Sequence, residues 1–213
     1  MTSAELAARL RLIVITDPEM ARPRSVLDVV AAALAAGAPA VQVRAKDASA
    51  RELLELGREI LPLARRHRAL LFVNDRLDVA LALGADGVHL GPDDLPVAAA
   101  RRAMPAGFLI GASADDPEAA RRLVADGADY IGCGAVYATT TKQDAGDVIG
   151  LEGLDLVAHA VDVPVVGIGG ITVTRSIEVA TTAAAGVAVV GAVMAAGDIA
   201  AAVKGLLAPW SAR

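Results

Sequence analysis

Four stretches of the chain, AAGAPAVQV, ALGADGVHL, ADGADYIGC and AAAGVAVVG, share one design: a helix closes in small residues and the chain passes at once into a short apolar strand. Between them lie four more apolar runs, RLIVIT (11–16), LLFVN (70–74), FLIGAS (108–113) and PVVGIGG (164–170), so the repeats fall on the even-numbered strands of eight. The even strands are AVQVR (40–44), GVHLG (87–91), YIGCG (130–134) and VAVVG (187–191). A strand that follows a helix that follows a strand runs parallel to its predecessor through a right-handed crossover. Continuous apolar strands of this kind belong in a sheet covered on both faces. The expected fold is therefore α/β, a closed (β/α)₈ TIM barrel, taken as a single domain over residues 1–213 and short for that fold. An open doubly wound sheet is the second choice; strand one lacks the G-x-G-x-x-G of its dinucleotide-binding form.

Helices are expected at 25–36, stopped by Gly37, and from a Ser49/Glu52 capping box to about Arg66. Leu77 to Gly84 has helical spacing with a glycine stop, and further helices are expected at 95–103, after Asp116-Pro117, at 151–161, 173–183 and 199–207. Pro18 and Pro23 assign the segment after strand one to a loop, and the longest irregular stretch is 135–150.

A chain of 213 residues, 55% hydrophobic, can bury a sizeable core. Its net charge of -5 argues against nucleic acid as a partner, so any bound phosphate must meet a few local cations. One cysteine, Cys133, lies within an apolar run; it cannot form an internal disulfide, reads as a buried small hydrophobe and suits a cytoplasmic protein. No signal-peptide pattern and no apolar run near membrane-spanning length is present, so no membrane partner is expected.

In a barrel, the loops leaving the strands share one face, where chemistry is expected. Strand two gives Gln42, Arg44 and Lys46, spaced by two and so on one side. Strand three gives Asn74 and Asp75, strand four Asp94, and strand five Ser113; loop six gives Thr139, Thr140, Thr141 and Lys142. Gly167, Gly169 and Gly170 follow on strand seven, and strand eight ends at Gly191. Taken singly, an Asp after a strand is more often a helix cap or a solvated loop residue, and a polar side chain on a barrel strand can merely fill the floor. An Arg, two Lys, two Asp and an Asn on one rim instead describe a site for polyphosphate and a hard cation such as Mg²⁺, with Asp75 and Asp94 as carboxylate ligands. The glycines after strand seven offer backbone amides at a frequent phosphate position in barrels. The chain favours arginine, with Lys46, Lys142 and Lys204 its only lysines, and two of these three fall in the proposed cation set.

QVRAK, NDR with GADGVHLGPDD, IGAS, GADYIGCG with TTTK, and VVGIGGI, in this order from LIVITD to VAVVGAV, resemble the thiamine-phosphate synthase (thiamine-phosphate pyrophosphorylase) family over nearly the whole chain. The resemblance implies a transferase of thiamine biosynthesis. It joins hydroxymethylpyrimidine diphosphate to thiazole phosphate, giving thiamine phosphate and pyrophosphate. It implies that Gln42, Arg44, Lys46, Asn74 and Lys142 hold the pyrimidine diphosphate, with Mg²⁺ on Asp75 and Asp94 and Ser113 as a further pyrimidine contact. Thr139, Thr141, Gly170, Val190 and Gly191 would hold the thiazole phosphate. The implied chemistry is dissociative: pyrophosphate leaves, a pyrimidine-stabilised carbocation forms, and the thiazole nitrogen attacks it, with Arg44, Lys46 and Lys142 as the catalytic cations.

Three positions depart from the family pattern: Pro92 in place of glutamine, Ala135 in place of proline, and Gly191 in place of serine. A related thiazole tautomerase, a non-catalytic precursor-binding regulator and a sugar-phosphate isomerase are the competing readings. The charged residues of the diphosphate set argue for the synthase. His89, inside strand four, reads as a structural imidazole rather than an acid or base. A homo-oligomer is left open.

Overall fold

The computed structural model describes residues 1–139 and 147–211. Its eight strands are β1 (Leu12–Ile15), β2 (Ala40–Val43), β3 (Leu70–Asn74), β4 (Gly87–Leu90), β5 (Leu109–Ser113), β6 (Tyr130–Cys133), β7 (Val165–Ile168) and β8 (Gly186–Val189). They pair in sequence order, all parallel, and β1 pairs with β8, so the sheet closes. Closure excludes the open doubly wound alternative.

The helices in chain order are α1 (Ser3–Arg9), α2 (Pro18–Ala21), α3 (Val26–Ala35), α4 (Ala50–Arg66), α5 (Leu77–Leu83), α6 (Val97–Ala103), α7 (Pro117–Ala125), α8 (Gly150–Ala160), α9 (Val173–Val179), α10 (Gly191–Met194) and α11 (Ile199–Leu207). The Ser49/Glu52 capping box opens α4 as expected, and Asp116 caps α7 ahead of its first-turn proline. Three helices lie outside the expected set: α1, α2 and α10. Each is one or two turns long, too short for a period to emerge from the sequence. α2 occupies part of the segment assigned to a loop, because Pro18 sits at its first position behind the Asp17 cap, where a missing N–H costs nothing.

Strand parity sorts the core into two layers. Leu12, Val14, Val41, Val43, Leu71, Val73, Val88, Leu90, Ile110, Ile131, Cys133, Val187 and Val189 face the helices in the larger cluster. Ile13, Ile15, Ala40, Leu70, Phe72, Leu109, Tyr130, Val166 and Ala188 fill the barrel interior together with Leu6 and Leu10 at the α1 end. α1 thus closes the N-terminal floor, leaving the opposite end for polar groups. On β2, β3 and β4 the next inward positions after this apolar layer are Gln42, Asn74 and His89; on β5 Ser113 follows Gly111, over which the Tyr130 ring lies.

Candidate active site

Gln42, 3% exposed, donates from Nε2 to Asn74 Oδ1 at 3.0 Å, a bond across the β2–β3 pair. The β1–β2 pairing continues one residue beyond the strands through Thr16, which is fully buried. Its N–H donates to Gln42 O at 3.0 Å, its hydroxyl donates to Arg44 O at 2.7 Å, and the Arg44 N–H donates back to Thr16 Oγ1 at 2.8 Å. That clasp holds Arg44 in extended backbone past the end of β2, so its side chain keeps the inward parity of Gln42. The guanidinium lies 3.5 Å from Asp17 Oδ2, while Asp17 Oδ1 accepts the Glu19 and Met20 N–H groups at the start of α2. Thr16 and Asp17 were not picked out from the sequence, because their role depends on the neighbouring strand. Lys46 follows on the loop and is exposed.

Asp75 has φ of 63°, one of two non-glycine residues in the left-handed region among those described. Its N–H donates to His89 O at 2.8 Å, and the next N–H, of Arg76, turns back to Asn74 O at 2.6 Å. An L-residue in this conformation costs of order 1 kcal/mol or more, an outlay met here by the sheet and consistent with a functional position. Asp94 is set by its own short loop: Oδ2 accepts the Gly91 N–H at 2.7 Å. Neither residue stands at a helix N-cap position, since those of α5 and α6 are Arg76 and Pro96. Two carboxylates after adjacent strands, without sulfur or imidazole, suit a hard cation that completes its shell with phosphate oxygens and water. Among the described residues no group of three or more His, Cys, Asp or Glu gathers as a self-sufficient metal cage.

Deeper in the mouth, His89 Nδ1 lies 3.0 Å from the Tyr130 hydroxyl and Nε2 lies 3.0 Å from Ser113 Oγ. Both ring nitrogens are engaged, which agrees with a structural imidazole. Burial drives the Tyr130 hydroxyl far above the usual phenol range, so it stays protonated and is the natural donor to Nδ1. His89 then carries its proton on Nε2 and donates to Ser113, leaving the serine O–H to point elsewhere. Space for this chain comes from two glycines: a Cβ on Gly111 would overlap the Tyr130 ring, and one on Gly132 would sit 2.8 Å from His89 Cε1. Phe72 packs edge-on against Tyr130 with centroids 5.4 Å apart.

Across the mouth, Gly170 follows β7, and Val190 and Gly191 lead from β8 into α10. Gly169 and Gly170 have φ of 100° and 62°, and a Cβ on Gly170 would lie 2.6 Å from Ala138 O, so the turn demands glycine. Arg24 donates from both terminal nitrogens to Met194 O and Ala196 O, at 3.0 and 2.7 Å, and so holds the C-terminal end of α10. Thr139 is half-buried at the start of loop six. Thr140, Thr141 and Lys142 lie outside the described residues.

Residues 12–193 match the family model for thiamine monophosphate synthase. A thiamine-phosphate synthase of Moorella thermoacetica is 47% identical over 195 residues, covering 92% of this chain and 93% of that protein. One of Chloroflexus aurantiacus is 48% identical over 198 residues, covering 93% and 91%. Among solved structures, thiamine phosphate pyrophosphorylase from Pyrococcus furiosus superposes with a TM-score of 0.88 at 44% identity, over 96% of each chain. A 3-hexulose-6-phosphate synthase, at 21% identity and a TM-score of 0.68, shares the fold alone. The chain, with its closed barrel and family-wide match, belongs to the thiamine monophosphate synthase family.

Proposed function

We propose that this chain is a thiamine-phosphate synthase, a transferase that breaks the bond between the pyrimidine methylene carbon and the diphosphate oxygen and forms a bond from that carbon to the thiazole nitrogen. The products are thiamine phosphate and pyrophosphate. The observation that carries the reading is the run of Gln42, Arg44, Asn74, Asp75 and Asp94 at the ends of three consecutive strands, in a chain matched over 12–193 by the thiamine monophosphate synthase model.

Asp75 and Asp94 are the residues suited to hold Mg²⁺, which when bound neutralises diphosphate charge as it builds on the leaving group. Arg44 and Lys46 add fixed positive charge on the same side, and the resemblance assigns Lys142 to the same role. Gln42 and Asn74 orient one another and present amide groups to the diphosphate. Ser113, fed a hydrogen bond by His89, has its own O–H to offer the pyrimidine. Gly170, Val190 and Gly191 present backbone N–H groups to the thiazole phosphate, with Thr139 and Thr141 supplying hydroxyls. Loss of pyrophosphate precedes attack, so no side-chain nucleophile is required; Cys133, buried behind β6 with its thiol pushed up to about 12 by desolvation, is unsuited to that role.

Residues 1–213 act as one domain on small-molecule substrates in the cytoplasm, without nucleic acid. No described helix is long and apolar enough to cross a membrane. The test is pyrophosphate release from the two substrates with Mg²⁺, repeated with EDTA. Metal-dependent release with thiamine phosphate formed supports the reading. Saturable binding without release would instead favour the tautomerase or the regulator, separated by a thiazole isomerisation assay.

A further inference from the structure

Arg175, in the first turn of α9, takes no part in the site assigned above, yet it touches two of the loops that form it. Its Nη1 donates to Gly170 O at 2.7 Å, and its guanidinium carbon lies 4.5 Å from the centre of the Tyr137 ring. The Tyr137 hydroxyl donates to Glu178 Oε2 at 2.8 Å, one turn further along α9, and the Tyr137 N–H donates to Gly169 O at 3.1 Å. Desolvation and the Glu178 carboxylate push the phenol up to about 12, so it remains a donor. α9 is itself anchored there by the Thr172 cap, which accepts the Arg175 N–H at 3.2 Å.

We infer that Arg175 is a positioning residue for the thiazole-phosphate end of the site, bracing the Gly169-Gly170 turn against the root of loop six. The inference rests on the proposed function in taking Gly170 as a phosphate contact. Two consecutive glycines in the left-handed region give a turn that is permissive by nature, and glycine peptides rotate readily unless held. The hydrogen bond to Gly170 O fixes the plane of the Gly170–Ile171 peptide, and the Tyr137 N–H on Gly169 O fixes that of the Gly169–Gly170 peptide, so the Gly170 N–H is held between two restrained planes. The stacked Tyr137 carries the same restraint to Ala138 and Thr139, the next residues of loop six. A planar guanidinium can stack and donate at once, which an ammonium cannot do in the same geometry. Its charge also lies behind the turn, favouring an anion on the other side.

The test compares Arg175→Ala and Arg175→Lys with the unaltered chain in steady-state kinetics for each substrate and in thermal unfolding. KM for the thiazole phosphate is expected to rise about tenfold in Arg175→Ala, the equivalent of one oriented hydrogen bond, with KM for the pyrimidine diphosphate and Tm nearly unchanged. Arg175→Lys is expected to fall between, and Tyr137→Leu to reproduce the selective rise. Unchanged KM values in a folded Arg175→Ala protein would overturn the inference, as would an equal rise in both KM values with a lower Tm. If the alanine variant does not fold, Arg175→Lys decides by the same readouts. Should the unaltered chain form no thiamine phosphate, the proposed function fails. Titration with inorganic phosphate then tests the brace separately: weaker binding to Arg175→Ala supports it, and equal binding, or none to the unaltered chain, overturns it.

Discussion

At the scale of single residues, the proposed site draws on positions whose backbone is held by hydrogen bonds to neighbouring strands. Asp75 has an unusual φ and an N–H committed to His89 O, so the direction in which its Cα–Cβ bond leaves the backbone is set by the sheet. Asp75→Ala is expected to lower kcat by about a thousandfold with little change in Tm, since the loss is of charge compensation for pyrophosphate rather than of packing. Single-turnover kinetics at saturating Mg²⁺ checks it. Gly111 is a packing position: Gly111→Ala drives a methyl into the buried Tyr130 ring and is expected to cost about 3 kcal/mol or more, measured by denaturant unfolding. Asn74, Asp75, Asp94 and Ser113 are legible in the sequence because each ends or follows a strand, and Gln42 and Arg44 because they share the two-residue spacing of Lys46. The roles of Thr16 and Asp17 are not legible there, because each meets Arg44 only across the β1–β2 pair.

At the scale of elements, short helices do work that their length conceals. α2 depends on Asp17, which accepts two backbone N–H groups and also faces Arg44. Asp17→Ala is expected to cost about 1 kcal/mol of stability, and Asp17→Asn to restore most of it, because asparagine caps as well as aspartate. Chemical denaturation of the two variants separates the cap from the charge. α10 depends on Arg24 at its C-terminal end, where a cation also complements the helix dipole. Such helices escape sequence periodicity because one turn carries too few apolar residues to show a face, whereas α4, with its capping box and 17 residues, announces itself.

For the whole molecule, stability comes from two concentric layers, and the inner one is closed by α1. Leu10 is fully buried on the barrel floor, far from the mouth, so Leu10→Ala is expected to lower stability by about 2–5 kcal/mol while leaving KM for both substrates intact. The outer layer supplies a pH signature through Cys133, whose thiol is raised from 9.0 to about 12, mainly by burial. An acid raised in the folded state favours folding fully below the unfolded value. That contribution is lost as pH rises from about 9 to about 12, by up to about 1.4 kcal/mol per pH unit. Tm is therefore expected to fall across that window and less so in Cys133→Ala, and the thiol should resist alkylation near pH 8 until the protein unfolds.

Strand count, helix alternation and parallel order are legible in the chain, because each strand–helix–strand unit is local and its apolar period and stops are written in consecutive residues; closure of the sheet is not, and the open alternative is excluded only by the fold. The acidic and basic residues after the strands are legible in the same way, since residues that follow the strands of a barrel share one face. The tertiary structure alone decided which partner each of those residues meets. The Thr16 clasp on Arg44, the Tyr130–His89–Ser113 chain and the Arg175 brace join residues far apart in sequence. Their geometry follows from register and closure, and no local pattern of residues encodes either.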